Sequence, residues 1–250
     1  MDRLLEDFLT RLNAAPSSED TWRETLTFLQ SFGFDVAMYA YSRLPSAGQA
    51  LRHGGIFTNY ADWFLQRYQD QGYAEHDPAA RHTVESLTPR LIGLNSLPCW
   101  PNGGRDFSDI QHGITNEAAD CGLKIGLIFP LRSQGNCMGG ISMSNSMELA
   151  EFEKFLADRK FIVHMAAACA HTRLQMQLTS ERAAQVHLTP REHEALLWTA
   201  LGRSSKSVAR KMSVHPKTVD LHLLNAMRKL KAATRTHAVA RAIALGLINP

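Results

Sequence analysis

"SKSVARKMSVHPKTVDLHLLNAMRKL", residues 205–230, holds two helical patterns separated by a turn. Val208, Ala209, Met212 and Val214 form the apolar inner face of the first helix and turn, with Ala209 small where two helices cross closely. Pro216 opens a longer second helix, in which Val219, Leu223, Ala226, Met227 and Leu230 recur at spacings of three and four. Its other face carries Lys217, Asp220, Leu221, Leu224, Arg228 and Lys231. Two helices joined by a tight turn, the second longer and basic, describe a helix-turn-helix. Lys206 and Arg203 are placed to reach phosphate, and Thr218 and His222 to add neutral backbone contacts. The predicted DNA-facing set is Lys206, Lys217, Thr218, Asp220, Leu221, His222, Leu224, Arg228 and Lys231. Composition alone leaves a basic helical hairpin with a solvated face equally open. Element order, turn and charge segregation favour the DNA-binding reading.

The flanks complete a four-helix domain. Thr189, Pro190 and Glu192 make a capping box with proline at the first helical position, and Gly202 ends that helix. A last helix over 234–245 closes at Gly246. From His187 to Pro250 there are eleven Lys/Arg against three Asp/Glu, a net charge of +8. The first 186 residues hold 16 basic and 21 acidic residues, a net of −5. Such a division assigns a polyanionic partner to the second part only. The expected organisation is a domain over 1–178, a polar linker "TSERAAQVH" at 179–187, and a DNA-binding domain at 188–250.

The first domain mixes helix and strand signals. Residues 2–14 and 19–32 read as amphipathic helices, the second capped by Ser17 or Ser18. Residues 35–44 and 54–58 are strand candidates, the first ending in the turn "PSAGQ". Residues 124–133 and 137–146 read as two strands joined by "QGN", and 148–178 as one long helix without Pro or Gly. "GLNSLPCWPNGGRD" (93–106) is a surface loop or lid with an exposed Trp100. An antiparallel sheet flanked by helices, an α/β/α sandwich, follows. The expected fold class is α+β. No run approaches the roughly 18 apolar residues of a membrane span. The N-terminus, acidic and charge-alternating, does not fit a secretory signal, and the four widely spaced cysteines read as free cytosolic thiols.

Five of the chain's 20 aromatics fall in "NYADWFLQRYQDQGYAEHDP", residues 59–78. At about 100° per residue, Tyr60, Trp63, Phe64 and Tyr68 share one broad helical face. That face either packs on the sheet or walls a pocket. The acid Asp77 beside it favours a pocket, because a buried carboxylate requires donors and a ligand amide is one.

At this point two resemblances apply. Residues 188–248 resemble the LuxR-type DNA-binding domain: Glu192, Leu196, Gly202, Val219, His222 and Leu230 match its frame, while Ser207 and Leu224 depart from it. Asp220 takes a position often used for base or backbone contact, and an acid there either reads a cytosine amino group or is held off the DNA. Residues 58–78 and "EAADCGLKIGLIFPLRS…MGGISMS" resemble the ligand-binding domain of receptors for N-acyl homoserine lactones, with Tyr60, Tyr68, Asp77, Pro78, Gly126 and Ser142 on matching positions. The resemblance implies that Asp77 takes the ligand amide N–H, with Tyr60 and Ser142 near the amide and acyl carbonyl. The family has Trp at Phe64, where the indole N–H binds the lactone carbonyl, and a second Trp at Ile92. Phe has no donor. Trp63 is adjacent but turned by about 100°, and Trp100 is the candidate to fill the space from the following loop.

The chain thus reads as a cytoplasmic, ligand-responsive transcription factor that binds double-stranded DNA and a small-molecule signal, an N-acyl homoserine lactone or a related compound. No catalysis, cofactor, metal or membrane is expected. A regulator answering a non-lactone ligand, or none, is the alternative. An enzyme tethered to DNA is remote, since His53, His76, His82, His112 and Cys121 show no catalytic spacing. The surplus apolar residues over 148–178, among them Phe152, Phe155, Ile162 and Met165, either bury within their own domain or meet a second subunit, and paired DNA half-sites favour a homodimer.

Overall fold

The computed structural model describes residues 3–43, 52–133 and 137–250. The expected turns "PSAGQ" and "QGN" lie outside these. Alternation builds the sheet of the first unit, Met1–Leu174. Strands β1 (Val36–Arg43), β2 (Arg52–Thr58), β3 (Arg90–Ile92), β4 (Ile125–Ser133) and β5 (Cys137–Asn145) pair antiparallel in the order β2-β1-β5-β4-β3. Successive side chains point to opposite faces. Ala37 pairs with Met143 and Met143 with Leu127; Tyr39 pairs with Ile141 and Ile141 with Phe129. These six are buried on one face.

Four helices belong to that side: α1 (Arg3–Ala14), α2 (Ser18–Ser31), α6 (Leu149–Leu156) and α7 (Lys160–Ala184). Trp22 packs on Phe57, His171 on Tyr39, and His164 stacks on Phe129 at 4.8 Å. Ser17 caps α2 by accepting from the Asp20 N–H. On the opposite face, Met38, Ser142 and Ile128 form one cross-strand row, and Val36, Ser144, Gly126 and Ile92 form the next. That face looks toward α3 (Asp62–Asp70), α4 (Pro78–Glu85) and α5 (Asp109–Asp120), which completes the α/β/α sandwich.

Three expectations need correction. The helix over 148–178 is two helices, broken at residues 157–159. No Pro or Gly marks the break; Arg159 donates to the Phe155 carbonyl at 2.8 Å and lies over the Phe155 ring, satisfying a carbonyl that the break frees. The bridge at 179–187 is helical through Ala184, because Ser180, Glu181, Arg182 and two alanines contain no breaker. Nor is residues 93–106 a plain loop: it winds into two 3-10 turns, Leu94–Cys99 and Pro101–Gly104.

The second unit, Gln175–Pro250, holds α8 (Pro190–Ala200), α9 (Ser205–Met212), α10 (Pro216–Lys229) and α11 (Arg235–Ala244). Leu196, Val208, Met212, Val219, Leu223 and Ala226 meet in its core. The capping box of Thr189 and Glu192 is formed. Burial raises the Glu192 pKa, but the Lys229 ammonium at 2.7 Å and the Thr189 N–H outweigh it, so the carboxyl sits below its ordinary value and ties α8 to α10. The turn between α9 and α10 passes through Ser213 at φ 54°, and the Val214 N–H returns to the Ala209 carbonyl. Among the described residues no helix is long and apolar enough to cross a membrane.

Candidate functional site

A cavity of about 190 Å³ lies between the sheet and α3–α5. Its floor is the even-numbered face of β1 and β5: Met38, Ala40, Ser42, Gly140 and Ser142. Tyr60, Phe64 and Tyr68 come from α3 and the turn before it; Tyr60 and Phe64 are buried and cluster with Leu123. Phe64 sits between Tyr60 and Tyr68, with ring centroids 6.3 and 6.0 Å away.

The polar groups of the wall are two linked pairs. The Tyr60 hydroxyl and Ser142 Oγ are 2.8 Å apart. The Tyr68 hydroxyl donates to Asp77 Oδ2 at 2.8 Å, and Asp77 Oδ1 accepts the Ala79 N–H at 2.8 Å as the N-cap of α4. Burial raises the Asp77 pKa above the usual carboxylate value, while the Tyr68 hydroxyl and the N–H groups of Ala79 and Ala80 pull it back. Burial likewise raises Tyr60, against its bond to Ser142. A carboxylate has about four acceptor sites. Three are engaged here, by Tyr68, Ala79 and Ala80, so Asp77, which lines the cavity, retains acceptor capacity. Behind it, Arg67 and the Tyr73 hydroxyl both donate to Glu117, fastening α3 and the turn that follows it to α5.

Of the residues predicted to bind ligand, Tyr60, Phe64, Tyr68, Asp77, Ile92, Trp100 and Ser142 line the cavity. Trp63 does not; it is 51% exposed and packs edge-on against the outer side of Phe64. Its 100° turn from Phe64 carries it off the wall. Gly126 does not line it either. It sits opposite Ser144, and any side chain there would run into the Met143 carbonyl and the Ser144 hydroxyl, so this glycine serves strand packing. Trp100 is partly buried where exposure was expected: its ring packs under Arg90 and against Phe107, and its Nε1–H donates to the Leu91 carbonyl at 3.1 Å. That N–H is therefore committed to the backbone.

Helices α4 and α5 supply wall residues that sequence reasoning missed, including Ala80, Thr83, Ile114 and Ala118. The signals were present: Asp77-Pro78 is an N-cap followed by proline at the first position, and Ser108 with Gln111 is a capping box.

In the second unit, Lys217, Leu221, Leu224 and Arg228 project from the exposed side of α10, and Lys206 from α9. Thr218 and His222 are half-buried at its flanks. Lys231 falls just beyond the helix, at φ 49°, because α10 ends at Lys229. Asp220 is half-exposed but engaged within the unit: its Oδ1 accepts from Ser205 Oγ at 2.8 Å and from Arg235 at 2.9 Å. Ser205 and Arg235 were not anticipated in this role.

The two parts correspond to two family models. Residues 17–174 match the autoinducer binding domain, and residues 186–242 match the bacterial regulatory proteins of the luxR family. The chain belongs to the LuxR family. The transcriptional activator PhzR of Pseudomonas fluorescens is 33% identical over 199 residues, covering 77% of this LuxR-family chain and 75% of its own. The transcriptional activator SolR of Ralstonia nicotianae is 27% identical over 247 residues, covering 97% of this chain and 98% of its own. Among solved structures, SdiA in complex with octanoyl-rac-glycerol is similar in fold, with a TM-score of 0.68 and 21% identity over 98% of this chain and 96% of that one. As a LuxR-family regulator the chain couples an autoinducer-binding domain to a DNA-binding helix-turn-helix.

Proposed function

We propose that the cavity binds an acylated signal through its amide, and that occupancy governs DNA binding by α8–α11 in a cytoplasmic homodimer without catalysis or cofactor. The carrying observation is Asp77, an acid in an apolar wall with unused acceptor capacity. Around it the hydrophobic walls suit an acyl chain, and a carboxylate accepting an amide N–H contributes more than a neutral acceptor does. The relatives are transcriptional regulators, which supports a non-catalytic role. Exposed Phe161 and Met165 along α7 support a subunit contact.

A second reading has its own observation. Phe64 offers no donor, and the Trp100 N–H is held by Leu91. A lactone ring carbonyl would then lack an indole partner, which favours an acylated compound with a different head group.

One panel separates the two. The protein is melted with N-acyl homoserine lactones of graded chain length, with matched acyl amides lacking the lactone, and with octanoyl-glycerol. Selective stabilisation by acylated amides supports the reading. No stabilisation by any compound, or turnover of one, refutes it. Mass spectrometry of compounds carried through purification names the native signal.

A further inference from the structure

Lys217, Leu221, Leu224 and Arg228 form one stripe on α10. At about 100° per residue they lie near 0°, 40°, −20° and 20°, whereas Val219, Leu223 and Ala226 lie near 200°, 240° and 180°. The latter three are buried, and the stripe faces solvent. Two of its members are large and apolar: Leu221 is 54% exposed and Leu224 41%. A solvated helix face would carry polar residues there. Asp220, the only acid on α10, is drawn off the stripe by Ser205 and Arg235. What remains is a pair of leucines between two cations.

We propose that Leu221 and Leu224 read the C5-methyl groups of thymines at neighbouring base pairs, with Lys217 and Arg228 seated on phosphates to either side. The proposal rests on α10 being the helix that enters the major groove. The thymine methyl is the apolar feature that groove presents. An aliphatic side chain placed instead against the donors and acceptors of a G·C pair leaves them unpaired and desolvated. The leucines are separated by about 4.5 Å along the helix axis, close to the roughly 3.4 Å between successive nucleotides of a strand. The cations span about 16 Å, enough to bracket that step.

The test uses the full chain, with the ligand that stabilises it most if one is needed for folding. Duplexes are selected from a random pool at fixed salt. Each thymine of the recovered half-site is then replaced by deoxyuridine, which removes only the methyl. The wild type is expected to lose roughly fourfold in affinity at one or two adjacent positions, the transfer value of a single methyl group. In Leu221→Ala or Leu224→Ala that loss should vanish at the corresponding position, with the salt dependence unchanged. The uracil-to-thymine ratio is taken within each variant, so a general change in stability cancels. Uracil tolerated everywhere by the wild type overturns the proposal, as does a uracil effect undiminished in both variants. Recovery of no duplex at all overturns the DNA-binding role of α10 and the leucine readout with it.

Discussion

Asp77→Asn removes the charge from the cavity wall while leaving the cap of α4 in place. In the empty protein Asp77 accepts from the Ala79 N–H and from the Tyr68 hydroxyl, each at 2.8 Å, with the Ala80 N–H adding to them. Asparagine keeps one oxygen for Ala79 and caps a helix as well as aspartate does. Its amide nitrogen then faces the Tyr68 oxygen, which accepts where it had donated. The burial that raises the Asp77 pKa also no longer acts on a charge. The empty variant should therefore differ from wild type by no more than about 1 kcal/mol, the size of one neutral hydrogen bond. The filled state behaves differently. A ligand N–H donating to carboxylate contributes about 1.5–3 kcal/mol, and the variant turns a donor toward that donor. Affinity for an acylated amide should fall roughly 10- to 150-fold. Titration calorimetry with the best-stabilising amide measures this, and melting of both empty proteins measures the rest. If Asp77→Asn destabilises the empty protein substantially and leaves affinity unchanged, Asp77 is a helix cap only.

Three further outcomes are expected. Phe64→Trp adds an indole N–H between Tyr60 and Tyr68 and should strengthen the lactone-dependent melting shift, set against about 1–3 kcal/mol of overpacking; a strong shift already in wild type would show that another donor serves. His171 is buried, which lowers its pKa from 6.5 to about 4. The unfolded chain takes up that proton first, so the stabilisation is complete above the upper value and is lost as pH falls through the window toward the lower one, by about 3 kcal/mol; melting of wild type and His171→Gln across the window should show a shallower slope in the variant. Lys217→Ala and Arg228→Ala should each weaken binding to all duplexes alike and reduce the salt slope by about one; a change confined to one DNA sequence would reassign them to base readout.

The helix-turn-helix was legible because its signals are local. Capping at Thr189, prolines at first helical positions and the apolar periodicity of α10 each act within a few residues. The cavity was legible only in part. Phe64 and Tyr68 share one short helix that Tyr60 directly precedes, so spacing gave their common face, but α4 and α5 reach the wall through contacts remote in sequence. Trp100 shows the limit well: its polar loop context reads as exposure, whereas a bond to Leu91 and packing against Arg90 and Phe107 partly bury its ring. Asp220 shows the same, since the arginine that holds it lies a helix away.

The Tyr60–Ser142 and Tyr68–Asp77 pairs have a consequence for how finely the protein tells signals apart. Both pairs are already made in the empty cavity. One O–H of the Tyr60–Ser142 pair is spent within it, so an arriving carbonyl accepts the other in exchange for water, and the net gain from such exchange is small. Hydrocarbon meets no such competition: each buried methylene contributes about 0.8 kcal/mol, close to fourfold in affinity. Two signals with the same head group that differ by a two-carbon unit would then be separated by roughly 15-fold, up to the length at which the far wall stops the chain. The receptor would act as a ruler for acyl tails, with the polar end setting only where the measurement begins.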